Sequence, residues 1–83
     1  MTREQARDLI FDVLADIAPE VDRNDVDDGL DLTEQIDLDS MDYLTWMIGI
    51  SEKTGLDIPQ ADVSRFLTID GAVGYLVDNL ATR

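Results

Sequence analysis

Asp37-Leu38-Asp39-Ser40-Met41-Asp42, running on into Tyr43-Leu44-Thr45-Trp46-Met47-Ile48-Gly49-Ile50, is the stretch on which the fold turns. Asp39 has the side chain of a helix N-cap, since its carboxylate can accept from a backbone N–H two or three residues on. Asp42, three residues later, adds negative charge to the first turn, where the helix dipole favours it. The pattern predicts a helix from Ser40 to about Lys53, with Gly55 as its C-terminal cap. Gly49 weakens that helix slightly and leaves room for close packing. Ser40 falls at the first helical position, at the exposed mouth of the helix, where a modifying enzyme has access to its hydroxyl. The free N–H groups of a helix N-terminus favour a phosphate, but the flanking carboxylates oppose one, so the dipole alone makes no anion site here. On local geometry alone, Ser40 is an ordinary polar residue in a capped first turn.

At about 100° per residue, the side chains of this helix divide into two apolar stripes. Tyr43, Trp46, Met47, Ile50 and Thr54 fall on one side, and Met41, Leu44 and Ile48 fall almost opposite. A surface helix buries one stripe. The aromatic-rich stripe is assigned to the core, which leaves Met41, Leu44 and Ile48 as a contact surface beside Ser40. The alternative is a central helix buried all round, for which so short a chain has little capacity.

The rest of the chain reads as scaffold. Thr2 and Gln5 fit a capping box. Ala6, Leu9, Ile10, Val13, Leu14 and Ile17 repeat at helical spacing, predicting a first helix from about Arg3 to Ala18 that Pro19 helps to end. Glu20 to Gln35 is a long acidic connection in which Leu30 and Leu32 are expected to pin the loop to the core. A calcium loop aligned on Gly29 fails, because Val26 has no side-chain ligand and Gln35 stands where a bidentate Glu is required. Leu56-Asp57-Ile58-Pro59 reads as loop. Gln60 to Phe66 is expected to form one or two helical turns with Val63, Phe66 and Leu67 inward. Thr68 caps a last helix to about Leu80, built on Ile69, Ala72, Val73, Leu76, Val77 and Leu80. These elements predict an all-α fold, a single domain over 1–83 in which three longer helices and one short helix form a small bundle.

Composition narrows the chemistry. With neither cysteine nor histidine in the chain, Ser–His and Cys–His dyads and thiolate or imidazole zinc sites are excluded. No catalytic and no metal residues are assigned, since the acids look dispersed rather than convergent. Nineteen acids against six bases give a net charge of −13, a field that repels nucleic acid and steers basic surfaces inward. No segment reads as a signal peptide or a membrane span. The expectation is a free-standing monomer in the cytoplasm.

From Ile36 to Pro59 the sequence resembles the acyl carrier proteins, in which an Asp-Ser-Leu motif opens the second helix. Here the motif is Asp39-Ser40-Met41-Asp42, with Met41 for the usual Leu. Gly55-Leu56-Asp57-Ile58-Pro59 is similar to the family's turn into a short third helix, and Thr68-Ile69-Asp70-Gly71-Ala72-Val73 to the start of its last helix. The resemblance implies that Ser40 carries 4′-phosphopantetheine, taken from coenzyme A by a phosphopantetheinyl transferase and linked through a phosphodiester. It implies a non-catalytic carrier of acyl thioesters for fatty acid, lipid or secondary-metabolite synthesis. Its partners would be acyl-transferring or synthase enzymes with basic docking surfaces, meeting Asp37, Met41, Asp42, Leu44, Ile48 and Glu52, with Asp39 also in the acidic set. Asp37 replaces a frequent Gly, Thr45 and Ser51 stand where Glu is common, and Trp46 replaces an aliphatic residue, departures that point to a specialised member. An aminoacyl or peptidyl carrier, and an unmodified helical interaction module, are the alternatives.

Self-repulsion among so many acids opposes the compact state, and added salt screens it. The midpoint of thermal unfolding is expected to rise with sodium chloride or a divalent cation. A midpoint independent of salt would contradict this.

Overall fold

The structure, a computed structural model, describes residues 1–36 and 38–80. Three helices form the frame. α1 (Arg3–Ile17) opens on the capping box: Thr2 Oγ1 accepts from Gln5 N at 3.1 Å, and Gln5 Oε1 accepts from Thr2 N at 3.0 Å. The approach segment holds a 3-10 turn (Arg23–Asp25) and a four-residue helix, α2 (Leu32–Gln35). α3 (Ser40–Thr54) begins on Asp39, whose Oδ1 accepts from Asp42 N at 2.8 Å. It ends on Gly55 at φ 73°, a left-handed conformation that favours glycine. A 3-10 helix (Gln60–Phe66) follows Pro59, and α4 (Ile69–Leu80) is capped by Thr68, whose Oγ1 accepts from Gly71 N at 2.9 Å. Among the described residues there is no strand, and the all-α expectation holds.

α1 packs against both α3 and α4, and the 3-10 helix packs on α4. The core takes Ile10, Val13 and Leu14 from α1, Trp46, Met47 and Ile50 from α3, and Ile69, Val73 and Leu76 from α4. Trp46 is fully buried, and its Nε1–H donates to Ile10 O at 3.2 Å, tying α3 to α1 through the interior. From there an aromatic row crosses the bundle. Tyr43 and Trp46 have ring centroids 5.7 Å apart, Trp46 and Phe66 6.2 Å, and Phe66 and Tyr75 5.1 Å. The tilted and edge-on geometries are those in which ring edges meet ring faces favourably.

The acidic approach is more built than its sequence predicts. Gln35 organises it: its Oε1 accepts from Asp27 N at 2.7 Å, and its Nε2 donates to Asp27 O and Leu30 O. Asp70 N donates to Asp28 O and Leu32 N donates to Leu67 O, both at 2.8 Å, so this segment is stitched to the connection before α4. Arg7 grips Asp28 with two hydrogen bonds, and both Arg7 and Arg23 lie over the ring of Phe11, a core residue that the α1 apolar stripe does not include. Two expectations are corrected. Leu32 is fully buried, but Leu30 is 53% exposed, because Gln35 and the cap at Asp31 orient the segment around Leu32. Leu67 is 39% exposed. Its carbonyl is held by Leu32 N while Phe66, one residue earlier, fills the core.

The close packing expected at Gly49 is present, since a Cβ there would meet Val13 Cγ1 at 2.6 Å. At Gly74, within α4, a Cβ would meet nothing within 4 Å. Gly74→Ala is therefore expected to stabilise the fold by about 0.5–1 kcal/mol. Gly49→Ala is expected to destabilise it, because overpacking of about 1–3 kcal/mol outweighs the helix-propensity gain. Urea unfolding of the two variants checks both signs.

Candidate functional site

Ser40 is exposed at the first position of α3. The residues around it fall as the two-stripe reading requires: Trp46, Met47 and Ile50 are buried, while Met41 is 75%, Leu44 54% and Ile48 57% exposed. The helix is therefore not buried all round. Asp39 and Glu52 are exposed and Asp42 is half-buried, so these acids flank the apolar stripe. Asp37 lies outside the described residues. The Thr45 hydroxyl turns back to donate to Met41 O at 2.9 Å, and so belongs to the helix backbone.

Below this stripe is a groove of about 270 Å³ between α3 and the segment that leads into the 3-10 helix. α3 lines it with Leu44, Met47, Ile48 and Ser51, and the facing wall is Asp57, Ile58 and Val63. Relative to Ser40, the α3 lining residues stand at i+4, i+7, i+8 and i+11, the spacing of one helix face. Ser40 thus heads the face that runs into the groove, and Leu44 stands about 6 Å further along the axis. Part of this was legible beforehand, since Leu44 and Ile48 carry the exposed stripe. The facing wall was not, because Ile58 and Val63 belong to segments too short to show a period. The alternation of Leu56 and Ile58 before Pro59 is their only signal: Leu56 is buried in the core and Ile58 lines the groove.

The wall is held by tyrosine hydroxyls. The Tyr43 hydroxyl, from α3, donates to Val63 O at 3.3 Å, and the Tyr75 hydroxyl, from α4, donates to Asp62 Oδ2 at 2.9 Å. Arg65 lies over the Tyr75 ring and faces Asp78 at 3.9 Å. The Ser51 hydroxyl donates to Leu56 O, tying the C-terminal turn of α3 to the start of the loop. Elsewhere Arg3 pairs with Asp70, Arg7 with Asp28, and Arg23 with Asp8 and Asp12. Among the described residues no group of acids is placed to hold a metal ion, and no helix is long and apolar enough to cross a membrane.

Burial, with the nearby Asp31 carboxylate adding to it, pushes the Tyr43 phenol up from 10.0 to about 12. Tyr75 is also raised, first by burial and then by its bond to Asp62. The folded state thus holds these protons more tightly than the unfolded chain. For Tyr43 the contribution is complete below pH 10 and is lost as pH rises towards 12. Stability is expected to fall across this window, and less steeply in Tyr43→Phe. Urea unfolding at stepped alkaline pH checks it, and equal slopes in the two proteins would contradict it.

No family model matches the chain. Three curated relatives do, each named acyl carrier protein. That of Lactobacillus acidophilus is 26% identical, with 92% of this chain and 94% of the relative covered. That of Lactobacillus johnsonii is 29% identical with the same coverage, and that of Rubrobacter xylanophilus is 28% identical over 95% of this chain and 96% of its own. The similarity runs nearly from end to end of both sequences and meets an all-helical fold. Over nearly its whole length the chain is similar in sequence to these acyl carrier proteins.

Proposed function

We propose that this protein is a carrier whose Ser40 bears a covalent 4′-phosphopantetheine arm, and that it performs no catalysis of its own. The observation that carries the reading is the position of Ser40: exposed, at the first residue of a capped helix, at the head of an exposed apolar stripe and of the groove beside it. The names of the curated relatives support a carrier role.

The residues present fit the arm. Ser40 offers an accessible hydroxyl for a phosphodiester, and the first turn of α3 offers N–H groups near a phosphate. When bound, the arm supplies a terminal thiol, which a chain without cysteine lacks, and an acyl group rides on it as a thioester. The chain's own residues then do three things. Asp39 fixes the start of α3 and so the direction of Ser40. Met41, Leu44 and Ile48 give a partner enzyme an apolar surface, to which Met41 brings adaptability. Asp37, Asp39, Asp42 and Glu52 pair with basic residues on that enzyme. The groove accepts the first part of an apolar acyl group.

The partners on this reading are a phosphopantetheinyl transferase and acyl-transferring or synthase enzymes with basic docking surfaces, in a cytoplasmic pathway of fatty acid, lipid or secondary-metabolite synthesis. Thr45 and Ser51, where acids are common in the family, favour a specialised route. A second reading, an unmodified interaction module, draws on the same exposed stripe.

Intact mass after incubation with coenzyme A, magnesium and a broad-specificity transferase tests the proposal. One added phosphopantetheine is expected on the wild-type protein and none on Ser40→Ala. No addition with several transferases would overturn the carrier reading in favour of the interaction module.

A further inference from the structure

We infer that the aromatic row Tyr43–Trp46–Phe66–Tyr75 closes off the interior behind the groove, so that the cargo this chain shelters is a short acyl group. This rests on the carrier reading and specifies the cargo class.

The groove's volume is about 270 Å³. An apolar cavity of about 150 Å³ holds one benzene ring, six carbons, so at the same volume per carbon the groove has room for about ten carbons. Its floor is Met47, 6% exposed, and behind the floor the core is filled. Trp46 and Phe66 are the two largest fully buried side chains of the protein. A longer chain would enter the bundle only by parting α3 from its neighbours, and the row resists that at two polar points: the Trp46 N–H holds Ile10 O on α1, and the Tyr43 hydroxyl holds Val63 O. The Tyr75 hydroxyl holds Asp62 and so fixes the 3-10 helix on α4 behind them. Parting α3 from α1 strands a buried N–H, which aliphatic residues at the same places would not do. Swelling is thus opposed by lost hydrogen bonds as well as by lost packing. Tyr43 stands where the row reaches the groove wall, half-buried and bonded to Val63, and is the specificity-determining side chain.

The chain has no cysteine, so Ser40→Cys offers a unique thiol at the attachment position. It can be coupled to butyl, octyl, dodecyl and hexadecyl maleimides. Thermal midpoint and Trp46 emission are then read for each adduct. The midpoint is expected to rise by several degrees from butyl to octyl and then to stay level, with Trp46 emission unchanged throughout. With Tyr43→Thr added, the level part is expected to begin at dodecyl or beyond. A midpoint that climbs through hexadecyl with a shift in Trp46 emission would overturn the inference, as would one that no alkyl group raises. If the double variant does not fold, the series on Ser40→Cys alone still decides. The coupling needs no transferase, so loss of the carrier reading would show only in the mass experiment on Ser40 itself.

Discussion

The hydrogen bond from Trp46 Nε1 to Ile10 O is the contact on which the rest of the site depends. α3 carries apolar residues on two opposed faces, and hydrophobic burial alone discriminates weakly between them. An indole buried without a partner for its N–H costs about 1–3 kcal/mol. The Ile10 carbonyl, already inside the helix α1, is positioned to accept it. Once this bond is made, the rotation of α3 about its axis is fixed. Met41, Leu44 and Ile48 are then left outward, and Ser40 opens towards solvent beside them. The outward position of Ser40 is therefore set by a contact more than one helical turn away from it.

The acidic approach to α3 is held by a different kind of force. It buries little apolar surface beyond Leu32 and Ile36 and is closed mainly by polar ties. Most of the arginine pairs are exposed, and such pairs contribute about 0–1 kcal/mol each. The pair of Arg7 with Asp28 is two-pronged and less exposed than the others, and it is backed by the Phe11 ring. A segment fastened in this way opens locally at less cost than the bundle.

Much of this was legible in the sequence. The capping box at Thr2, the cap at Asp39, the glycine at position 55 and the cap at Thr68 mark helix ends through chemistry internal to a few residues. The split of α3 into a core face and an outward face followed from its period, because the helix has enough turns to show one. α2 has only four residues and shows no period. Its place is decided by Gln35 and by the bond from Leu32 N to Leu67 O, a contact across distant parts of the chain. For the same reason Leu30 and Leu67 looked like core residues. Each sits next to or near a residue that is fully buried, and only the tertiary bonds decide which of the neighbours turns inward. The groove's far wall belongs to this class too, since Val63 acquires its role from the Tyr43 hydroxyl.

An outward stripe of Met41, Leu44 and Ile48 is a hazard for so small a protein, because exposed apolar patches favour association between copies. The charge of −13 answers it. Two copies approaching through α3 bring Asp39, Asp42 and Glu52 towards their own counterparts, and the repulsion opposes burial of the stripes. A partner with a basic surface meets the same acids as an attraction, and the apolar contact then adds to the electrostatic one. On the proposed carrier reading the flanking carboxylates act as a filter on what the stripe touches, and they do so only because the Trp46 bond has already turned that stripe outward. The same carboxylates hinder a free anion from settling at the head of α3, whereas a phosphate tethered to Ser40 by a covalent bond needs no net electrostatic attraction to remain there. A covalent attachment position can therefore sit among acids where a reversible phosphate site could not.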